Sequence, residues 1–203
     1  MDTEWKEMHD VFLSWNLSCT VSQLLEMWNE THRCYHTQEH LKDIIEQIHN
    51  DQQGNPPKLE QKFSQKEYEK LLLTAIFHDC IYDPLKSDNE ERSAEFFMKS
   101  VPDQQNTDAL DVRQMILDTK SHQAFSELSR CFQAYDMNIV ERDFEALLEW
   151  EHGIFGEYQS VGNKLYQFGR LKFLRSICTK YPKNETNIRR LIHWVEEHYK
   201  DPI

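Results

Sequence analysis

The sequence predicts an all-α protein folded as a single domain over residues 1–203, and three observations carry that expectation. Glycine and proline are scarce, five and six in 203 residues, too few for the closely spaced turns of a β-sandwich. Apolar residues recur at spacings of three and four along most of the chain. No Pro/Gly/Ser-rich stretch marks a linker, and the length allows one substantial core.

Taken in order, Trp5, Met8, Val11, Phe12 and Trp15, then Val21, Leu24, Leu25 and Trp28, predict two short amphipathic helices. The next turns helical near Thr37, a suitable cap, and puts Leu41, Ile44, Ile45 and Ile48 on one face. His36 and His40 are four apart, so both imidazoles share a side of that helix if its first turn includes His36. Asp51–Lys58 is a helix-breaking loop. Ser64 and Glu67 have the form of a capping box and open the most apolar run of the chain, Leu71–Phe77. Its apolar residues go round the axis instead of keeping to a stripe, as in a helix buried on most sides. Ser87 or Asp88 caps a helix from Asn89, and Thr107 or Asp108 starts another that leads to Thr119 and His122. A polar loop follows, then Asp136 among Phe132, Tyr135, Met137 and Ile139. The last sixty or so residues read as three more helices.

The buried helix ends on His78-Asp79. Placing both there costs several kcal/mol of desolvation without a partner, and a divalent metal is the partner that accepts an imidazole and a carboxylate together. A net charge of −12 argues against a duplex nucleic acid footprint and against attraction to an anionic membrane. Five scattered cysteines, with no C-x-x-C pair, suggest neither a disulfide framework nor a zinc ribbon, and point to a reducing compartment. Neither a signal-like N-terminus at Met1–Trp5 nor a run of roughly 20 apolar residues is present, so a cytoplasmic location is expected.

In chain order the ionisable candidates are Tyr35-His36-x-x-x-His40, His78-Asp79, Thr119-x-x-His122 and Asp136. This order on a helical chain resembles the HD superfamily of metal-dependent phosphohydrolases. Tyr35–His40, Phe77–Asp83, Asn89–Ala94, Thr119–His122 and Glu157-Tyr158 are similar to the motifs of a family of small HD phosphohydrolases of about this length. The resemblance runs from Arg33 to about Tyr158 (motif core about 33–158) and implies an HD-type helical bundle with the C-terminal helices packed on it.

The resemblance implies His40, His78, Asp79 and Asp136 as ligands of a divalent ion (Mn, Fe, Zn, Co, Ni or Mg), with His122 as a ligand of a second ion if Asp79 bridges two. Asp136 lacks the Leu-rich, glycine-terminated run usual in the family, and Asp143 is the alternative. By similarity to cyclic-nucleotide phosphodiesterases, distant HD relatives, His36 is the general acid. Arg92 and Lys120 would meet phosphate, and Glu90 would hold a water or a ligand histidine. The implied activity is hydrolysis of a small phosphate ester, a nucleotide by preference, with a homodimer left open. Two other readings stand beside it: an HD-type di-iron oxygenase, and a catalytically silent regulatory protein that binds metal or nucleotide.

Overall fold

The computed structural model describes residues 3–54, 59 and 62–199. Among them the chain is all-helical and contains no strand. It divides into two compact units, one holding the residues up to Thr31 together with His36–Asp136, the other His32–Tyr35 together with the chain from Met137.

The first unit is arranged around one helix. Its elements are α1 (Thr3–Ser14), α2 (Val21–Met27), α3 (Gln38–Gln53), α4 (Gln65–Phe77), α5 (Asn89–Ser100), α6 (Thr107–Thr119) and α7 (Glu127–Asp136). α4 packs against α1, α3, α5, α6 and α7, and every residue from Leu71 to Phe77 is buried, as the all-round apolar pattern predicts. The capping box is formed as expected: the Ser64 hydroxyl accepts from Glu67 N, and the Glu67 carboxylate accepts from Ser64 N at 2.8 Å. At its other end the carbonyls that a helix leaves unpaired are taken up locally. Trp28 Nε1 donates to Ile76 O at 2.9 Å, and Cys80 N donates to Phe77 O at 3.3 Å.

Several boundaries differ from the sequence expectation. α3 runs on to Gln53 and ends on Gly54, whose φ of 72° is the left-handed cap glycine adopts at little cost, so the loop starts later than Asp51. Residues 55–58 of that loop lie outside the described residues, as do Met1 and Asp2. The cap of α6 is Asn106, whose Oδ1 accepts from Asp108 N and Ala109 N, rather than Thr107 or Asp108. The sequence expectation has no helix where α7 lies. Leu128, Cys131, Phe132 and Tyr135 nonetheless have helical spacing, and Ser129, Cys131, Phe132, Gln133 and Tyr135 are buried.

The second unit consists of α8 (Phe144–Glu157), α9 (Asn163–Lys180) and α10 (Glu185–His198), the three helices expected from the period, with 3-10 turns at Met137–Glu141 and Pro182–Asn184. Its core gathers Leu147, Trp150, Ile154, Leu174, Ile188 and Leu191. Within it Glu151 is fully buried, bonded by Arg170 Nε at 2.6 Å and by the Tyr166 hydroxyl at 2.6 Å. The Arg170 guanidinium also lies 4.1 Å over the Trp150 ring, which shields the ion pair from water. Asp143 is the N-cap of α8, its Oδ1 accepting from Ala146 N at 3.0 Å.

Candidate metal centre

Three elements of the first unit bring the candidate ligands together. α3 supplies His40 from its first turn, the C-terminal end of α4 supplies His78 and Asp79, and α7 supplies Asp136 as its last residue. Asp136 Oδ1 stands 3.2 Å from His40 Nε2 and 3.5 Å from His78 Nε2. Asp79 Oδ2 stands 3.3 Å from His78 Nε2. Among the described residues, His40, His78 and Asp79 form a group whose ligand atoms all lie within 4.8 Å of one another.

His78 is the most constrained member. Its side chain is 1% exposed, and Nδ1 donates to Ala75 O at 2.9 Å, which leaves Nε2 aimed at the carboxylates. Nε2 is buried and, among the described residues, makes no hydrogen bond of good geometry, although both carboxylates stand within 3.5 Å of it. A lone pair facing two carboxylate oxygens in a dry interior is repulsive unless a proton or a cation lies among them. Donor atoms joined to one ion by bonds of about 2.1 Å at tetrahedral or octahedral angles lie roughly 3.0–3.4 Å apart, close to the separations seen. The donor set, two imidazoles and two carboxylates, suits a transition metal better than Ca, and the Ala75 carbonyl gives His78 the orientation that ligating histidines usually receive. These residues therefore fit a divalent ion.

Without an ion, burial disfavours the charged imidazole of His78, but Asp79 and Asp136 outweigh it and push its pKa up to about 9. Asp136 is moved the other way. Burial opposes its charge, yet His40 and His78 hold its carboxyl well below the usual carboxylate range.

The walls are aromatic. The Trp28 ring lies 5.5 Å from the His78 ring and 6.4 Å from that of His40, and Phe132 meets His78 edge-on at 5.4 Å. Both are fully buried. They lower the local dielectric and so strengthen every charge interaction inside.

His36 lies before α3, outside the helix, because Thr37 is the N-cap and its hydroxyl accepts from Glu39 N at 3.3 Å. The shared helical face expected for His36 and His40 is therefore absent, yet their rings stand 5.9 Å apart. His36 Nε2 is 3.8 Å from Asp79 Oδ2, and its ring packs 4.4 Å from the Tyr82 ring.

The other sequence candidates lie at the start of α5 and the end of α6. Burial raises the Glu90 carboxyl above its ordinary range, a backbone hydrogen bond pulls it back, and the Asp79 charge raises it again. Lys120 caps α6, bonded to Glu91 Oε1 at 2.5 Å and to the Ser87 carbonyl, with Glu90 Oε2 at 3.9 Å. Arg92 is on the exposed face of α5. His122 has a φ of 53° just past α6, and it is not in the group around His78.

Sequence reasoning includes Asn89 and Ser93 in a motif but gives no role to these residues, which hold the His78–Asp83 loop. Asn89 Oδ1 accepts from Asp83 N at 3.1 Å and its Nδ2 donates to Asp83 O at 2.8 Å, while Ser93 Oγ accepts from Ile81 N at 3.1 Å. Both are buried polar residues four apart on a charged helix, and that pattern is the available signal. Trp28 and Phe132 read as ordinary core and carry no signal of their own.

No family model, curated protein or solved structure matches this chain.

Proposed function

We propose that the protein is a metal-dependent phosphohydrolase of the HD type, cleaving a small phosphate ester, with a nucleotide as the preferred substrate class. The observation that supports this most is the buried Nε2 of His78, which stands 3.3 Å from Asp79 Oδ2 and 3.5 Å from Asp136 Oδ1 with no good hydrogen-bond geometry to either among the described residues. His40, His78, Asp79 and Asp136 are the residues we assign to a divalent ion. When bound, the ion supplies a lowered pKa for water and draws charge from phosphoryl oxygens.

The chain's own residues do the rest. Trp28 and Phe132 keep water from the ligand side of the site. His36, held against Tyr82 and near Asp79, gives its proton to the oxygen that leaves phosphorus. Arg92 and Lys120 are the groups we propose to meet the substrate's charge, and Glu90 the one to hold a water or a ligand histidine. Lys120 would reach a phosphate only by giving up Glu91 and the Ser87 carbonyl.

No described helix is long and apolar enough to cross a membrane, and none of the five cysteines is in a disulfide. We propose a cytoplasmic location. The test of the function is phosphate release from a panel of nucleotides and simple phosphomonoesters, with and without chelator. Chelator-sensitive release that disappears in His78→Ala is expected. Metal-loaded protein that releases phosphate from none of the panel would refute the reading.

A further inference from the structure

Past the end of α4 the chain from Asp79 to Asp83 is no longer helical, so its backbone groups need partners from elsewhere. α5 supplies them through two side chains. Ser93 Oγ accepts from Ile81 N at 3.1 Å and donates to Ile81 O at 3.3 Å. Asn89 Oδ1 accepts from Asp83 N at 3.1 Å, and its Nδ2 donates to Asp83 O at 2.8 Å. Each side chain thus serves the donor and the acceptor of one residue, as a paired residue of an antiparallel strand does. The spacings agree: four residues of helix rise about 6 Å and two of extended chain about 6.6 Å, so positions 89 and 93 meet 83 and 81 in reverse order. Both side chains are buried. Serine and asparagine are weak helix formers and costly to bury unless bonded, so the contact with the loop rather than the helix accounts for them. Loop, helix and the residues they touch all belong to the first unit.

We infer that Asn89 and Ser93 are positioning residues that fix the segment carrying Asp79 and Tyr82, and so set the Asp79 carboxylate against His78 and the Tyr82 ring against His36. His78 is already held by α4, its Nδ1 donating to Ala75 O at 2.9 Å. Asp79 follows it outside the helix, with Oδ2 3.3 Å from His78 Nε2 and 3.8 Å from His36 Nε2. Tyr82 stands between the two fastened residues, its ring 4.4 Å from that of His36. Without the bonds from α5 the backbone groups of Ile81 and Asp83 would have to turn toward water, and the segment would move with them. The inference deepens the hydrolase reading and rests on it for the role of Asp79 as a ligand, but the arrangement of the side chains can be read with neither metal nor turnover.

The test uses the full, metal-free chain with 15N-labelled histidine. The ring signals of His78 and His36, assigned with His78→Gln and His36→Gln, report the Asp79 carboxylate and the Tyr82 ring. Asn89→Leu, close in volume but without hydrogen-bonding atoms, and Ser93→Ala should both displace them. Ser93→Ala removes only a hydroxyl and decides the matter if Asn89→Leu does not fold. Ser100→Ala removes the other hydroxyl of α5, also buried, which donates to Phe96 O of the same helix at 2.9 Å, and should leave the signals in place. Zinc affinity, measured by titration, should fall about 10–100-fold in Asn89→Leu and Ser93→Ala and stay unchanged in Ser100→Ala. A wild-type protein that takes up no zinc defeats the hydrolase reading and leaves the ring signals to test the positioning. His78 and His36 signals in Ser93→Ala that superimpose on the wild type, or that move as far in Ser100→Ala, would overturn it. So would a zinc-binding wild type whose affinity both loop variants keep.

Discussion

Replacing Tyr135 by phenylalanine removes one atom from a buried polar contact of the first unit. Tyr135 is fully buried, its hydroxyl donates to Asp51 Oδ2 at 2.7 Å, and Asp51 is itself 1% exposed. The same carboxylate oxygen accepts from Leu59 N at 3.0 Å, a bond the substitution leaves in place. What is lost is a hydrogen bond to a charged group in a site that water does not enter, a net contribution of about 1.5–3 kcal/mol. At about 2–4 °C per kcal/mol for a chain of this size, the metal-free protein should melt roughly 3–12 °C lower. Circular dichroism during heating measures it. The double variant Asp51→Asn with Tyr135→Phe should recover part of the loss, because no buried charge is then short of a partner. Asp136 follows Tyr135 directly, so Tyr135→Phe should also weaken metal binding. A variant that melts within about 1 °C of the wild type would refute the claim that this bond anchors the end of α7.

Other expectations follow from single contacts. Ser64→Ala deletes the cap of α4 and should cost about 1 kcal/mol in urea unfolding, whereas an unchanged midpoint would mean the capping box contributes nothing. Arg170→Met leaves Glu151 in the core of the second unit without its cation, with only the Tyr166 hydroxyl still bonded to it, and should lower stability by about 3–5 kcal/mol; the joint replacement of both by apolar residues should be far milder. Metal uptake should release protons. His78, raised from 6.5 to about 9 without an ion, is protonated at neutral pH and must lose that proton to bind. Calorimetric titration in two buffers of different ionisation enthalpy should find about one proton released near pH 7.5, and none would contradict the assignment of His78. By the same shift, the contribution of His78 to the stability of the metal-free protein is complete below about 6.5 and is lost as pH rises through about 9.

How far these features can be read in the sequence depends on whether the signal is local. α4 and its capping box are legible because apolar residues around the whole axis and a Ser-x-x-Glu start are local patterns. His78-Asp79 at the end of that helix is a weak signal by itself, and it gains weight only from the other ionisable residues of the chain, His40 and Asp136 among them. α7 is legible in principle from Leu128, Cys131, Phe132 and Tyr135, but the polar stretch before it obscures the period. The place of His36 turns on a single capping hydroxyl: Thr37 is legible as a cap, and as N-cap it leaves His36 outside α3, but the contacts of the ring with Asp79 and Tyr82 are not legible. The two compact units meet along the chain at Asp136 and Met137, consecutive residues of a helix and a 3-10 turn with no linker composition to announce a boundary. The roles of Asn89 and Ser93 depend on backbone groups outside their own helix, and residue type alone does not carry such contacts.

The central claim is that His40, His78, Asp79 and Asp136 together hold a divalent ion, and elemental analysis with direct titration tests it most plainly. The purified chain, stripped and then offered Mn, Fe, Co, Ni, Zn and Mg in turn, should bind at least one of them stoichiometrically. Asp136→Ala and His78→Ala should lose that binding while keeping their helical circular dichroism. A well-folded wild-type chain that binds none of the six would contradict the account.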